Sequence, residues 1–350
     1  MNNLLFIGLN GYAGSGKDTV AKMLSTILSK DWENIDQAKE YYFSTYKNVT
    51  QPATYKFDDN NIVKCIAYAD QLKLICSNIF GIPLNRFYMN KSNLWINISD
   101  KFQFTEIKPA ENNIVTAEEY YYLDYNNKVV SDKWMSLREI LVYVGTYVLQ
   151  LQINKNIFVN IVNNIIDNEQ KFNDELKYVI ITDNRFNHEL EYMHNKNGIT
   201  LSIIRNSIEQ LSNVAEHDLD GIDDFDYIID NSNTYNDLFQ TLWDLIHNNL
   251  EFQNITYSLC SYENINNYLR LVEKTNDYYI FKLCLSYPIE ELYKSNGEIT
   301  GMRPKGGDII EIDEPINITN HNIQIIPKKI EMANRFNNFL IYTKIEDVKN

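Results

Sequence analysis

Basic charge is scarce in this chain: 32 Lys and Arg stand against 47 Asp and Glu in 350 residues, a net charge of −15. That balance argues against nonspecific nucleic-acid binding, because no basic face offsets phosphate repulsion. A local basic pocket for a small phosphorylated ligand stays open. Cysteine is scarce too. Cys65, Cys76, Cys260 and Cys284 form no CxxC pair and sit mostly in apolar runs, so they read as reduced thiols of a cytoplasmic protein. No apolar run approaches a membrane span, and no basic n-region opens the chain. Neither a membrane partner nor a signal peptide is therefore expected. Internal repeats are absent as well. What the chain does have is core material: hydrophobic residues make up 44% of it, enough for one large domain or two smaller ones.

The most informative segment is Gly11-Tyr12-Ala13-Gly14-Ser15-Gly16-Lys17-Asp18-Thr19. An apolar run, Leu4–Leu9, precedes it and reads as a buried strand. Val20, Met23, Leu24, Ile27 and Leu28 follow at helical spacing. Strand, glycine loop and helix together make a phosphate-binding loop. Glycines let the backbone wrap an anion, and the loop N–H groups and the helix N-terminus point at it. Lys17 adds a mobile positive charge. The usual hydroxyl residue after the lysine is replaced by Asp18, with Thr19 next. A carboxylate is also a hard-oxygen ligand, so Asp18 or Thr19 is the expected Mg²⁺ ligand.

Further along, residues 30–61 show weak periodicity and read as an excursion. Ile62–Tyr68 is a strand candidate, and a helix from Ala69-Asp70 places Leu72, Ile75, Cys76 and Ile79 on one face up to Gly81. Residues 82–135 read as an irregular, hairpin-bearing insertion. Ser136-Leu137-Arg138-Glu139 has the form of a capping box. It opens a helix expected to bury Leu137, Ile140, Leu141, Val144, Val148 and Leu151. Another amphipathic helix carries Phe158 to Ile166. Tyr178–Thr182 is a strand ending at Asp183, and a short helix follows with Gly198 as its C′ residue. Ile199–Ile204, ending at Arg205, and Asp226–Ile229 are further strands, and Thr234–Asn249 is a helix. Alternating strands and helices predict an α/β doubly wound parallel sheet of P-loop type, with helices on both faces and ligands at the carboxyl ends of the strands. That rule draws together the loop at 11–19, Asp70, Asp183 and Arg205. After about residue 250 the rhythm changes. Strands near 278–285, 308–312, 323–326 and 339–343 predict a smaller β-rich or α+β appendage over 251–350.

Several segments, taken in order, resemble the deoxynucleoside monophosphate kinases of bacteriophages. They are Gly11–Thr19, Ile66–Lys73, Leu137–Leu141 with Val144-Gly145-Thr146, and Val179–Phe186 with Glu189. The resemblance spans roughly residues 1–248; at His217-Asp218-Leu219-Asp220 the chain departs from the family's H-x-S-E. It implies ATP-dependent phosphorylation of small nucleotide monophosphates with Mg²⁺, in a host cytoplasm if the protein is viral. It places Gly11, Ala13, Gly14, Ser15, Gly16, Lys17, Asp18 and Thr19 on the ATP phosphates, with Arg205 as a candidate there or on the lid side. It places Asp70, Lys73, Arg138 and Arg185 at the monophosphate, and gives Lys17, Arg138, Asp183 and Arg185 the catalytic roles. From the residues alone, an N-cap is the alternative reading of Asp183 and of Asp70, and a surface ion pair that of Arg185. A different small-molecule kinase of dephospho-coenzyme-A type, or a nucleotide-dependent switch, are the rival functions. A homodimer built through the C-terminal region stays open.

Overall fold

A computed structural model describes residues 4–46, 61–88, 91, 93–98, 103–125, 133–206, 218–222, 224–253, 256–258, 268–284, 289–304, 309–318, 323–333 and 338–348. The chain begins with β1 (Leu5–Asn10), α1 (Lys17–Leu28), α2 (Ile35–Tyr46), β2 (Val63–Ile66) and α3 (Tyr68–Phe80). An excursion supplies β3 (Trp95–Asn97), β4 (Gln103–Thr105), α4 (Ala117–Tyr125) and β5 (Trp134–Ser136). Then come α5 (Leu137–Val142), α6 (Ile157–Phe172), β6 (Tyr178–Ile181), α7 (Asn187–Asn195), β7 (Ile199–Ile204), β8 (Tyr227–Asp230) and α8 (Tyr235–Asn248).

Five of these strands form one parallel sheet in the order β2-β6-β1-β7-β8. Its centre, β1, is apolar on both faces. Leu5, Ile7 and Leu9 pack with residues of α1, α2 and α8, while Leu4 and Phe6 pack with residues of α3, α6 and α7. Each fully buried aliphatic side chain contributes about 1.5–3 kcal/mol. Both faces therefore need a helical cover, and both have one.

Four sequence expectations are corrected here. Residues 35–46 are helical, with Ala38, Tyr42 and Tyr46 buried at i, i+4 and i+8. The stripe is there, but it is built of tyrosines rather than aliphatics. The helix after Ser136 does not keep one period. It winds as α5 and then as a π-helix over Tyr143–Ile153, which turns Gly145, Tyr147 and Gln150 inward and leaves Leu151 64% exposed. The capping box is half made. Ser136 Oγ accepts from Glu139 N at 3.2 Å, but the Glu139 carboxylate accepts from Ala117 N at 2.7 Å and so ties α4 to α5. After α7 the left-handed residue is Asn197 (φ 49), not Gly198. Gly198 is needed for closeness, since a Cβ there would lie 2.9 Å from Met193 and 3.0 Å from Phe6.

The excursion contributes a three-stranded antiparallel sheet, β4-β3-β5. Beyond residue 250 the chain is β-rich. Antiparallel strands β9 (Thr256–Ser258), β10 (Tyr268–Lys274), β11 (Tyr278–Cys284), β12 (Ile289–Ser295), β13 (Glu298–Pro304) and β14 (Ile310–Glu311) precede a hairpin, β15 (Ile316–Ile318) and β16 (Ile323–Ile325). β17 (Pro327–Met332) and β18 (Phe339–Lys344) complete an eight-stranded sheet to which the hairpin does not belong. This sheet has its own core, including Leu269, Phe281, Met302 and Ile341. It touches the α/β part through polar contacts. Arg270, fully buried, donates to Asn197 O, and Asn338 Nδ2 donates to His194 O at 3.1 Å. Cys65, Cys76 and Cys284 are free thiols, and Cys260 lies outside the described residues.

Candidate active site

The carboxyl edge of the parallel sheet gathers the site. The loop after β1 uses glycine where the backbone demands it: Gly11, Gly14 and Gly16 have φ of 143°, 86° and 95°. Gly16 also has no room for a side chain. A Cβ there would lie 2.1 Å from Asn231 Nδ2, which donates to Ser15 O at 2.7 Å. Lys17 opens α1 and folds over the loop, with its Nζ donating to Tyr12 O at 2.9 Å and to Gly11 O. No side chain caps α1, and the buried Ser15 Oγ has no partner among the described residues. An uncapped helix start beneath a left-handed glycine loop is a ready anion cradle. The loop, the orphaned hydroxyl and Lys17 thus fit a nucleotide phosphate, and the Asp18 carboxylate fits a hard divalent cation.

The sheet order explains what faces this loop. Because β6 lies between β2 and β1, the exits of β2 and β1 flank the exit of β6. Asp183, two residues beyond β6, sends its carboxylate to the start of α3. Tyr68 N donates to Oδ1 at 2.7 Å and Ala69 N to Oδ2 at 3.0 Å. Asp183 is therefore an N-cap, but of a helix more than a hundred residues earlier, whose own N-cap residue Ala67 offers no side-chain acceptor. Burial pushes the Asp183 carboxyl up, against the pull of Lys73 and Arg185. Asp70 does not cap α3; it accepts from Lys73 Nζ and from the Tyr88 hydroxyl, both at 2.9 Å.

Glu189, in the first turn of α7, reaches back to the backbone just before that helix. Its Oε2 accepts from Arg185 N at 2.8 Å and Phe186 N at 3.1 Å. Burial pushes this carboxyl up to about 8, helped by Asp183 and opposed by the two N–H donors. These bonds fix the backbone that carries Arg185 toward the cavity.

That cavity, of about 250 Å³, is lined by Lys17 and Asp18 from the loop, by Lys73, Arg138, Asp183 and Arg185, and by Glu189. Apolar walls come from Leu72, Leu141, Val142 and Phe158, with Gly145, Thr146 and Gln150 contributed by the π-helical segment. Six of the residues singled out from sequence for catalysis, substrate or metal thus reach one cavity, and Asp70 touches Lys73 beside it. Others do not. Arg205 is exposed beyond β7, and Thr19 sits in the first turn of α1 off the cavity wall. His217 lies outside the described residues. The divergent Asp218 and Asp220 are structural clips here: Asp218 Oδ2 accepts from Asn187 N at 2.8 Å, and Asp220 Oδ1 accepts from the Tyr12 hydroxyl of the loop.

Sequence reasoning missed Lys91, Tyr88, Gln150 and Glu189 as cavity residues. Glu189 was visible as part of a motif, without a role. Lys91 and Tyr88 lie in the irregular insertion, where no periodicity points inward. Gln150 faces inward only because the helix changes winding.

A parallel sheet that gathers a glycine loop, a lysine–arginine cluster and buried carboxylates along one edge defines a protein that handles phosphorylated small molecules. The model of the deoxynucleotide monophosphate kinase family matches residues 5–242, and the chain belongs to that family. Membership implies kinase activity on deoxynucleotide monophosphates. No curated protein matches the chain. Among the described residues, no helix is long and apolar enough to cross a membrane.

Proposed function

We propose that the protein transfers the γ-phosphate of ATP directly to the α-phosphate of a deoxynucleoside monophosphate. The observation that carries this reading is the shared cavity: Lys17 and Asp18, at the end of the glycine loop, line it together with Lys73, Arg138 and Arg185. Two polyanions must meet for this reaction, and the lysines and arginines of one cavity supply the cations they need. A non-bridging oxygen of the monophosphate forms a bond to the γ-phosphorus as the bond to the β–γ bridging oxygen breaks. ADP leaves with that oxygen, and the product is the deoxynucleoside diphosphate. The attacking oxygen is already anionic, so no general base is required.

In this reading the loop from Gly11 to Gly16 and Lys17 hold the donor phosphates. Asp18 is the favoured Mg²⁺ ligand over Thr19, because only Asp18 lines the cavity. Bound there, the ion would neutralise charge on the donor phosphates. Arg138 and Arg185 grip the monophosphate, and Asp183 and Glu189 position rather than react. Thr146 and Gln150 offer polar atoms on an otherwise apolar wall, suited to a base edge. Such nucleotides are cytoplasmic, and we place the protein there.

The test is transfer from ATP·Mg²⁺ to a panel of dAMP, dGMP, dCMP, dTMP, hydroxymethyl-dCMP and the matching ribonucleotides. Diphosphate formation is the expected result, and its rank order gives the base preference. Binding of ATP without transfer to any acceptor would refute the reading.

A further inference from the structure

Lys91 is the one lysine or arginine of the cavity wall that neither the glycine loop nor the α3, α5 and β6 strand-end motifs account for. We propose that Lys91 is a substrate-binding cation for the 5′-phosphate of the monophosphate, acting with Lys73, Arg138 and Arg185. The proposal rests on the kinase reading above.

Three observations carry it. The first is position. Lys91 lines the same cavity as Lys73 from α3, Arg138 from α5 and Arg185 from beyond β6. Its place is fixed through its backbone, since Arg138 N donates to Lys91 O at 3.2 Å. The insertion and the first turn of α5 therefore deliver their cations together.

The second is the lack of an internal counterion. Lys73 has Asp70 at 2.9 Å, and Lys17 has two loop carbonyls. Among the described residues, the Lys91 ammonium has neither a carboxylate within salt-bridge distance nor a hydrogen-bond acceptor. Arg138 Nε, buried nearby, also has no partner. Placing a half-buried lysine beside three other cations is unfavourable unless something anionic joins them. A dianionic phosphate does so, and it supplies the acceptors that Lys91 and Arg138 Nε lack.

The third is the balance of charge around it. Burial draws the Lys91 amine down to about 7, reinforced by Lys73, Arg138 and Arg185 and opposed by Asp18. Near neutral pH the empty site thus holds this amine partly unprotonated. An arriving phosphate favours the ammonium, so binding draws a proton onto Nζ. A general-base role for the free amine has no work to do, because the acceptor oxygen carries no proton to remove.

The experiment compares wild type, Lys91→Gln and Lys91→Arg. Calorimetry measures the Kd of the preferred deoxynucleoside monophosphate without ATP, in two buffers of different ionisation enthalpy at pH 7.5. Steady-state kinetics gives both KM values. For Lys91→Gln we expect monophosphate Kd and KM raised roughly 30-fold or more, the ATP KM unchanged, and less proton uptake than wild type. Lys91→Arg should recover most of the affinity. Lys91→Gln should melt at or above the wild-type temperature, because it removes like-charge repulsion. A well-folded Lys91→Gln protein that binds the monophosphate as tightly as wild type overturns the assignment and leaves the kinase reading standing. A wild type that neither binds nor phosphorylates any monophosphate removes both.

Discussion

Lys17, Arg185 and Glu189 are three side chains in one cavity with three different physical tasks. Lys17 now rests on loop carbonyls that a phosphate would displace, so its removal leaves the fold intact and the transferring group without its cation. Lys17→Ala should lower kcat by about 10³-fold or more with an unchanged thermal melt. Near-normal turnover in a folded variant would overturn the assignment. Arg185 shares that cavity, and its proposed partner is the monophosphate. Arg185→Ala should raise the monophosphate KM by roughly tenfold or more while sparing the ATP KM; a loss confined to ATP would mean the two assignments are reversed. Glu189 carries a pH signature. Its folded pKa, about 8, lies above the unfolded value of 4.5, so the folded state holds the proton more tightly. Its contribution to stability is full below about pH 4.5 and is lost as pH rises through about 8. Thermal melts of wild type and Glu189→Gln from pH 5 to 9 should therefore differ by an amount that shifts steadily toward the variant up to about pH 8, then levels. A pH-independent difference would rule out the titration.

At the scale of elements, the site is a meeting of helix starts. α1 begins beneath the glycine loop, α3 begins on the Asp183 carboxylate, and α7 is anchored through Glu189. The α3 cap is the most exposed to test. Asp183→Ala removes acceptors from two buried N–H groups and should destabilise the protein by about 1–3 kcal/mol in denaturant titration. Because Asp70 and Lys73 ride on the first turns of α3, the monophosphate KM should rise with it. A variant that keeps its stability but loses turnover would instead make Asp183 a direct participant in the chemistry. The π-helical segment is the second element-level device. By changing winding after Val142 it turns Gly145 against Leu72 of α3, where a Cβ would lie 2.6 Å from Leu72 Cδ2, and presents Gln150 to the cavity.

For the whole molecule, the C-terminal β-sheet is joined to the α/β part by buried polar contacts. Lys282, 4% exposed, lies 3.5 Å from Glu251 and 3.9 Å from Asp226 at the edge of β8. Arg270 and Asn338 hold the end of α7, the helix whose first turn is anchored beside Arg185. Phe252, past residue 250, packs into the α/β core itself. A chain ending at residue 250 should therefore melt below the full-length protein, because it loses Phe252 and strips Asp226 of its buried lysine. The larger part of that loss is Phe252, whose burial is worth about 1.5–3 kcal/mol, since Asp226 gains water as it loses the lysine. An unchanged melt would show the β-sheet to be an independent attachment. Light scattering of the two chains would settle in the same experiment whether that sheet supports a dimer.

The sequence by itself determined the local pieces. Glycine spacing before Lys17, the apolar runs of β1, β6 and β7, and the helical stripe of α8 needed no long-range partner to be legible, because each is set by backbone sterics or by the burial of its own side chains. The family was legible for the same reason: its motifs are contiguous. Tertiary structure decided which pieces meet. Only the order β2-β6-β1 puts Asp183 on the start of α3 and Arg185 in one cavity with Lys17. Strand order is set by how both faces of the sheet find cover, not by any local signal. The same holds for Lys91, which lies in a stretch with no period to read. Its role follows from a backbone bond to Arg138 and from the three cations that share its cavity.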